Sequence, residues 1–159
     1  MSGSAAAQES ALVFGAGVSG MWHHNTHVQH TVEIVSVEYR SGHELFNRSG
    51  YDLFREIKPL VGAFATSDGS GYVHAGAYRD FALAPCWILT PHLSAGAYGH
   101  GSKNNLGNEL EFQSGIDVFY RLDRGVRLGA TLRHVSNAGT GQFNPGIETL
   151  AVLVSVPLR

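Results

Sequence analysis

Cysteine is nearly absent from this chain. Its one thiol, Cys86, excludes an intrachain disulfide. It follows Pro85 with no patterned His or Asp around it, and so reads as a small packing residue in a turn rather than a nucleophile. Charge is also scarce: 15% of residues are charged, against about 25% in an ordinary soluble domain. The net charge of −2 supplies no basic surface for phosphates, which argues against a nucleic-acid partner and a basic membrane-surface protein. No apolar run reaches the roughly 18 residues of a transmembrane helix. The opening M-S-G-S-A-A-A-Q-E-S lacks the basic start and apolar middle of a signal peptide. Residues 1–8 are therefore expected to be a flexible mature N-terminus or residues added ahead of one. Helical periodicity is hard to find.

Strand periodicity is nearly everywhere. The 159 residues fit one domain. Strands are expected over 9–22, 28–40, 55–67, 72–83, 87–99, 109–121, 126–137 and 147–158, with a turn or short helix over 41–54. Strands of roughly 10–14 residues are longer than the usual 5–6 and long enough to cross a bilayer when tilted. Joined as successive hairpins, they predict an all-β, eight-stranded antiparallel up-and-down transmembrane barrel spanning 1–159. Alternation supports this. Leu110, Phe112, Ile116, Val118 and Tyr120 share one face of a strand, and Glu111, Gln113, Asp117 and Arg121 share the other. Apolar-out and polar-in is the outer-membrane pattern. Glu33, Glu38, Arg40, Glu111, Asp117, Arg121, Arg127 and Arg133 are expected to pair inside the barrel. Trp22, Tyr39, Tyr72, Trp87, Tyr98 and Tyr120 suit interfacial girdles.

Candidate chemistry sits on the last hairpin. Val126, Leu128, Ala130, Leu132, His134 and Ser136 point one way along a strand. On the next strand Glu148 is in phase with the apolar row Leu150, Val152, Val154, Val156 and Leu158. Three polar residues thus top two apolar rows on adjoining strands, where desolvation is costly without a functional return. The types suit ester hydrolysis: Ser136 as nucleophile, His134 as general base, Glu148 orienting the imidazole. Asn137, Gly139 and Asn144 are oxyanion-hole candidates. Leu132 and Leu150 are candidate contacts for substrate acyl chains. His23, His24, His27 and His30 have loose metal-like spacing, but no Cys or carboxylate completes a set, and no metal or other cofactor is expected. No Asp-rich loop offers a calcium site.

The same residues carry a resemblance. L-R-H-V-S-N-A-G followed by N-P-G-I-E resembles the C-terminal motif of the PagL family, lipid A 3-O-deacylases of Gram-negative outer membranes. I-K-P-L (57–60), T-P-H-L-S-A-G (90–96) and N-L-G-N-E-L-E-F (105–112) are also similar to that family. The resemblance implies an eight-stranded outer-membrane barrel, multi-pass, with its site on the outer wall near the external surface. It implies a Ser-His-Glu triad at Ser136, His134 and Glu148, with Asn137 and Asn144 matching two site asparagines. Its implied activity is hydrolysis of the acyl ester at the 3-position of lipid A, releasing a 3-hydroxy fatty acid. Lipid A or lipopolysaccharide is then the substrate partner, among outer-membrane lipids, and homodimerisation is compatible with it. The chain departs from the usual aromatic terminus by ending Pro157-Leu158-Arg159. The alternatives are a non-catalytic eight-stranded outer-membrane barrel with a structural or adhesive role, and a soluble lipid-binding barrel.

Overall fold

A computed structural model describes residues 9–22, 30–46 and 54–158. Residues 1–8, the histidines at 23, 24 and 27, and residues 47–53 of the expected 41–54 turn lie outside the described residues. The strands are β1 (Ala11–Ser19), β2 (Val32–Arg40), β3 (Lys58–Thr66), β4 (Gly71–Tyr78), β5 (Phe81–Ala82), β6 (Trp87–Gly99), β7 (Leu110–Arg121), β8 (Arg127–Ser136) and β9 (Ile147–Pro157). Each long strand pairs antiparallel with its neighbours in sequence, β4 pairs with β6, and β1 pairs with β9. The eight long strands therefore close into an all-β antiparallel barrel, with no open edge to present unpaired backbone groups.

Inside and outside are inverted relative to a soluble protein. Glu38, Arg40, His74, His92, Asp117 and Arg133 are buried in the lumen. Val73, Leu93 and Val152 are each about two-thirds exposed on the outer wall. A continuous apolar wall of this kind needs hydrocarbon rather than water against it. Most of the lumen charges are compensated internally; Glu111, expected to pair there, is buried with neither carboxylate oxygen hydrogen-bonded among the described residues. Arg40 is paired with both Glu38 and Asp117, Arg133 Nη1 lies 2.7 Å from Glu38 Oε1, and His92 Nε2 lies 3.2 Å from Asp117 Oδ1. Small residues let the narrow lumen close: a Cβ at Gly76 would fall 2.5 Å from the Cα of Ser94.

Several expectations are corrected. Of the proposed internal charges, Glu33 is exposed, being out of phase with Glu38 and Arg40, and Arg121 is exposed at its strand end. Arg127 pairs with Asp80 at 2.7 Å rather than with the central cluster. Tyr72 and Tyr98 point inward, not into a girdle. The Tyr72 hydroxyl donates to Glu111 O, and that of Tyr98 to Asn104 O. Trp22, Tyr39, Trp87 and Tyr120 are exposed as expected, and Trp87 packs edge-on against Tyr120. The strand expected over 72–83 is interrupted at Arg79 and Asp80. The opposing residue is Pro91, which has no N–H to return to the ladder; only the Arg79 N–H to Pro91 O bond forms, at 3.2 Å. Residues 41–46 are not helical.

Candidate active site on the outer wall

The β8–β9 register pairs Leu132 with Leu150 and, one rung nearer the loop, His134 with Glu148. Period-two alternation puts all four on the outer face, as the sequence phase predicts. Directly opposed residues have Cβ atoms about 5 Å apart, and here the side chains meet: His134 Nδ1 lies 3.3 Å from Glu148 Oε1. Ser136 follows His134 on the same strand and face, and its opposite number on β7 is Phe112. Its hydroxyl makes no hydrogen bond among the described residues. Pairing orients the imidazole, and the apolar wall around it strengthens the interaction relative to water.

The loop after β8 is fixed by Asn137, which is fully buried. Its Nδ2 donates to Leu106 O at 2.8 Å and to Phe143 O at 2.7 Å. Its Oδ1 accepts the Gly139 N–H at 2.9 Å, and its own N–H donates to Asn144 Oδ1 at 3.0 Å. The Thr140 N–H returns to Asn137 O across Ala138 (φ 54) and Gly139 (φ 80), the positive pair of a primed turn. Asn137 and Gly139 thus have their donors committed to holding the loop. Asn144 is exposed, and it uses Oδ1 here, leaving its Nδ2 donors open.

An apolar groove of about 690 Å³ runs along the wall past Glu148, His134, Leu132, Ile116, Ser114 and Leu93, with Trp22 at one margin. A second groove continues from Ser136 and Phe112 across Ala95 to Ala75, bordered by Leu45. Leu132 lines the first groove; Leu150, its neighbour on β9, lies outside it.

Two residues that the sequence reading passed over belong to this place. Gly146 (φ 65) sits against the imidazole, where a Cβ would lie 2.6 Å from His134 Cε1. The Pro-Gly before Ile147 was a signal for it. Ser114 is the cross-strand partner of His134 on β7, on the flank away from Glu148. Its signal was the break it makes in the row Leu110, Phe112, Ile116, Val118 and Tyr120. Of the four histidines with loose metal-like spacing, where no metal is expected, only His30 is among the described residues, and its backbone O accepts from Asn104 Nδ2.

Comparison with solved structures finds a crystal structure of the outer membrane enzyme PagL, at 16% identity and a TM-score of 0.64, covering 93% of this chain and 99% of that one. Neisserial surface protein A matches at 15% identity and a TM-score of 0.59, covering 94% and 96%. A de novo designed transmembrane β-barrel matches at 14% identity and a TM-score of 0.53, covering 95% and 97%. At these identities the likeness shows a shared barrel and nothing finer. Comparison with curated proteins finds no match. The family model for lipid A 3-O-deacylase (PagL) matches residues 4–157, nearly the whole sequence. On that match, over a barrel that carries His134, Ser136 and Glu148 on its outer wall, the chain belongs to the PagL family.

Proposed function

We propose that this protein is an outer-membrane serine esterase. It hydrolyses the acyl ester at the 3-position of lipid A and releases a 3-hydroxy fatty acid. The observation that carries the reading is the His134–Glu148 pair at 3.3 Å, set on an apolar wall with Ser136 in phase beside it. A structural barrel has no use for three polar side chains there, because each loses hydration against hydrocarbon.

His134 takes the Ser136 proton as Ser136 Oγ attacks the ester carbonyl. Glu148 holds the imidazole through Nδ1 and stabilises the imidazolium that forms. The tetrahedral oxyanion is met by Asn144 Nδ2, the one uncommitted donor of the three oxyanion candidates. Collapse expels the sugar hydroxyl, which takes the proton back from His134 and leaves an acyl-Ser136 ester. Water then attacks, again with His134 as base, and frees the fatty acid and Ser136. The substrate reaches this site sideways, with its chains against the wall near Leu132.

The test uses purified protein with lipid A in detergent and mass spectrometry of the products. Loss of one hydroxyacyl chain is expected with the wild type and not with Ser136→Ala or His134→Ala. An unchanged lipid A mass in every condition would leave a non-catalytic barrel as the better account.

A further inference from the structure

We propose that Ser114 selects the acyl chain, its hydroxyl binding a hydroxyl on the third carbon beside the scissile carbonyl. This rests on the esterase reading of Ser136 and His134. Outward positions of β7 are otherwise apolar or aromatic: Leu110, Phe112, Ile116, Val118 and Tyr120 are all exposed on the wall. Ser114 alone breaks the row, is itself exposed, and makes no side-chain hydrogen bond among the described residues. A hydroxyl facing hydrocarbon without a partner is unfavourable, so the position asks for a polar group brought by a ligand.

Its place says which group. Ser114 pairs with His134, and Phe112, two residues before it, pairs with Ser136. Ser114 is therefore diagonal to Ser136, about 7–8 Å away by strand spacing, with both side chains rising from the same face. The third-carbon oxygen of an acyl chain is three bonds from its carbonyl carbon, about 3–4 Å at bond lengths near 1.5 Å. A chain that leaves Ser136 across β7 carries that oxygen over Ser114. The rest then lies on Leu93, the Ser114 partner on β6, and on Ala77, the Leu93 partner on β4. Each hydroxyl would be an orphan in this groove without the other. A site built to hydrogen-bond a substrate hydroxyl rejects the analogue that lacks it.

The experiment compares two synthetic glucosamine monoesters, one carrying 3-hydroxytetradecanoate at the 3-position and the other tetradecanoate. Hydrolysis is followed in detergent micelles for the wild type, Ser114→Ala, Ser114→Val, Ser114→Thr and Ser136→Ala. The wild type is expected to favour the hydroxylated ester about tenfold in kcat/KM, the value of one net hydrogen bond. That ratio falls towards one in Ser114→Ala and Ser114→Val and is largely kept in Ser114→Thr. Valine is at home on a lipid-facing strand, so this second variant folds even where alanine does not. Equal ratios in wild type, Ser114→Ala and Ser114→Val would overturn the proposal. So would an equal loss of both esters, which would put Ser114 in the bond-breaking step instead. If the wild type cleaves neither ester, or Ser136→Ala cleaves both normally, the esterase reading falls, and the Ser114 proposal with it.

Discussion

His134 and Glu148 face each other across the β8–β9 ladder, with Nδ1 3.3 Å from Oε1. In the proposed reaction the carboxylate holds the imidazole tautomer and stabilises the imidazolium that forms. Glu148→Gln keeps the size and a hydrogen-bonding oxygen but removes the charge. It is expected to lower kcat by about 10²–10⁴, by analogy with the loss of the acidic member of other triads, with little change in KM. Initial rates on a defined lipid A ester check this. A variant within twofold of wild type would take Glu148 out of the mechanism.

Asn137 and Asn144 are expected to separate structure from chemistry in one loop. Asn137→Ala leaves Leu106 O and Phe143 O without their buried donor and frees the Gly139 N–H. Each unsatisfied buried group costs about 1–3 kcal/mol, so the loss should appear in thermal or denaturant unfolding. Asn144→Ala takes away only the acceptor of the Asn137 N–H, so it should lose less in unfolding than Asn137→Ala, about the cost of one such group, and it should lower kcat by about 10²–10³, the effect of removing an oxyanion donor. The reverse pattern, with Asn144 destabilising and Asn137 purely kinetic, would reassign the oxyanion donor to Asn137.

The fold was legible because alternation on long strands repeats around the barrel; a one-residue error of phase would have put His134 and Ser136 in the lumen if on β8, and Glu148 if on β9. The same parity predicts the shared outer face of His134, Ser136 and Glu148 that the register shows. Three other features were not legible, for physical reasons. The break at Arg79 comes from Pro91, twelve residues away in the sequence and visible only once β4 and β6 are paired. Tyr72 and Tyr98 look like girdle aromatics by position, yet their even parity turns them inward to hydrogen-bond in the lumen. The commitment of the Asn137 donors depends on Leu106, which belongs to another loop. Ser114 was legible and passed over, since its meaning needs the register against His134.

The outer wall makes its own prediction. Val152 lies midway along β9, pairs with Ala130 and points outward. Arginine at a lipid-facing position near the bilayer midplane costs about 2–4 kcal/mol. Val152→Arg should lose that much in folding equilibria measured by denaturant titration in phospholipid vesicles. A loss below about 1 kcal/mol would mean that this face does not meet the hydrocarbon core.

Acid should loosen the β3–β4 and β6–β7 loops through one carboxylate. Asp68 lies in the β3–β4 turn. It accepts hydrogen bonds from Thr66 Oγ1 and from the N–H groups of Ser70, Lys103 and Asn104, tying that turn to the β6–β7 loop. Burial alone would push its carboxyl up; the hydrogen bonds, led by Thr66 and Ser70, outweigh it and hold the group down to about 2. An unfolded Asp titrates near about 3.9. A folded pKa below the unfolded one gives stability that is fully present above about pH 4 and is lost as pH falls towards 2. Amide exchange at Lys103 and Asn104 should therefore lose protection over that interval. In Asp68→Asn protection should be lower at pH 5 and nearly flat down to pH 2, because the group that titrates is gone. If the wild-type amides stay equally protected at both ends of the interval, the carboxylate is not what holds the two loops together.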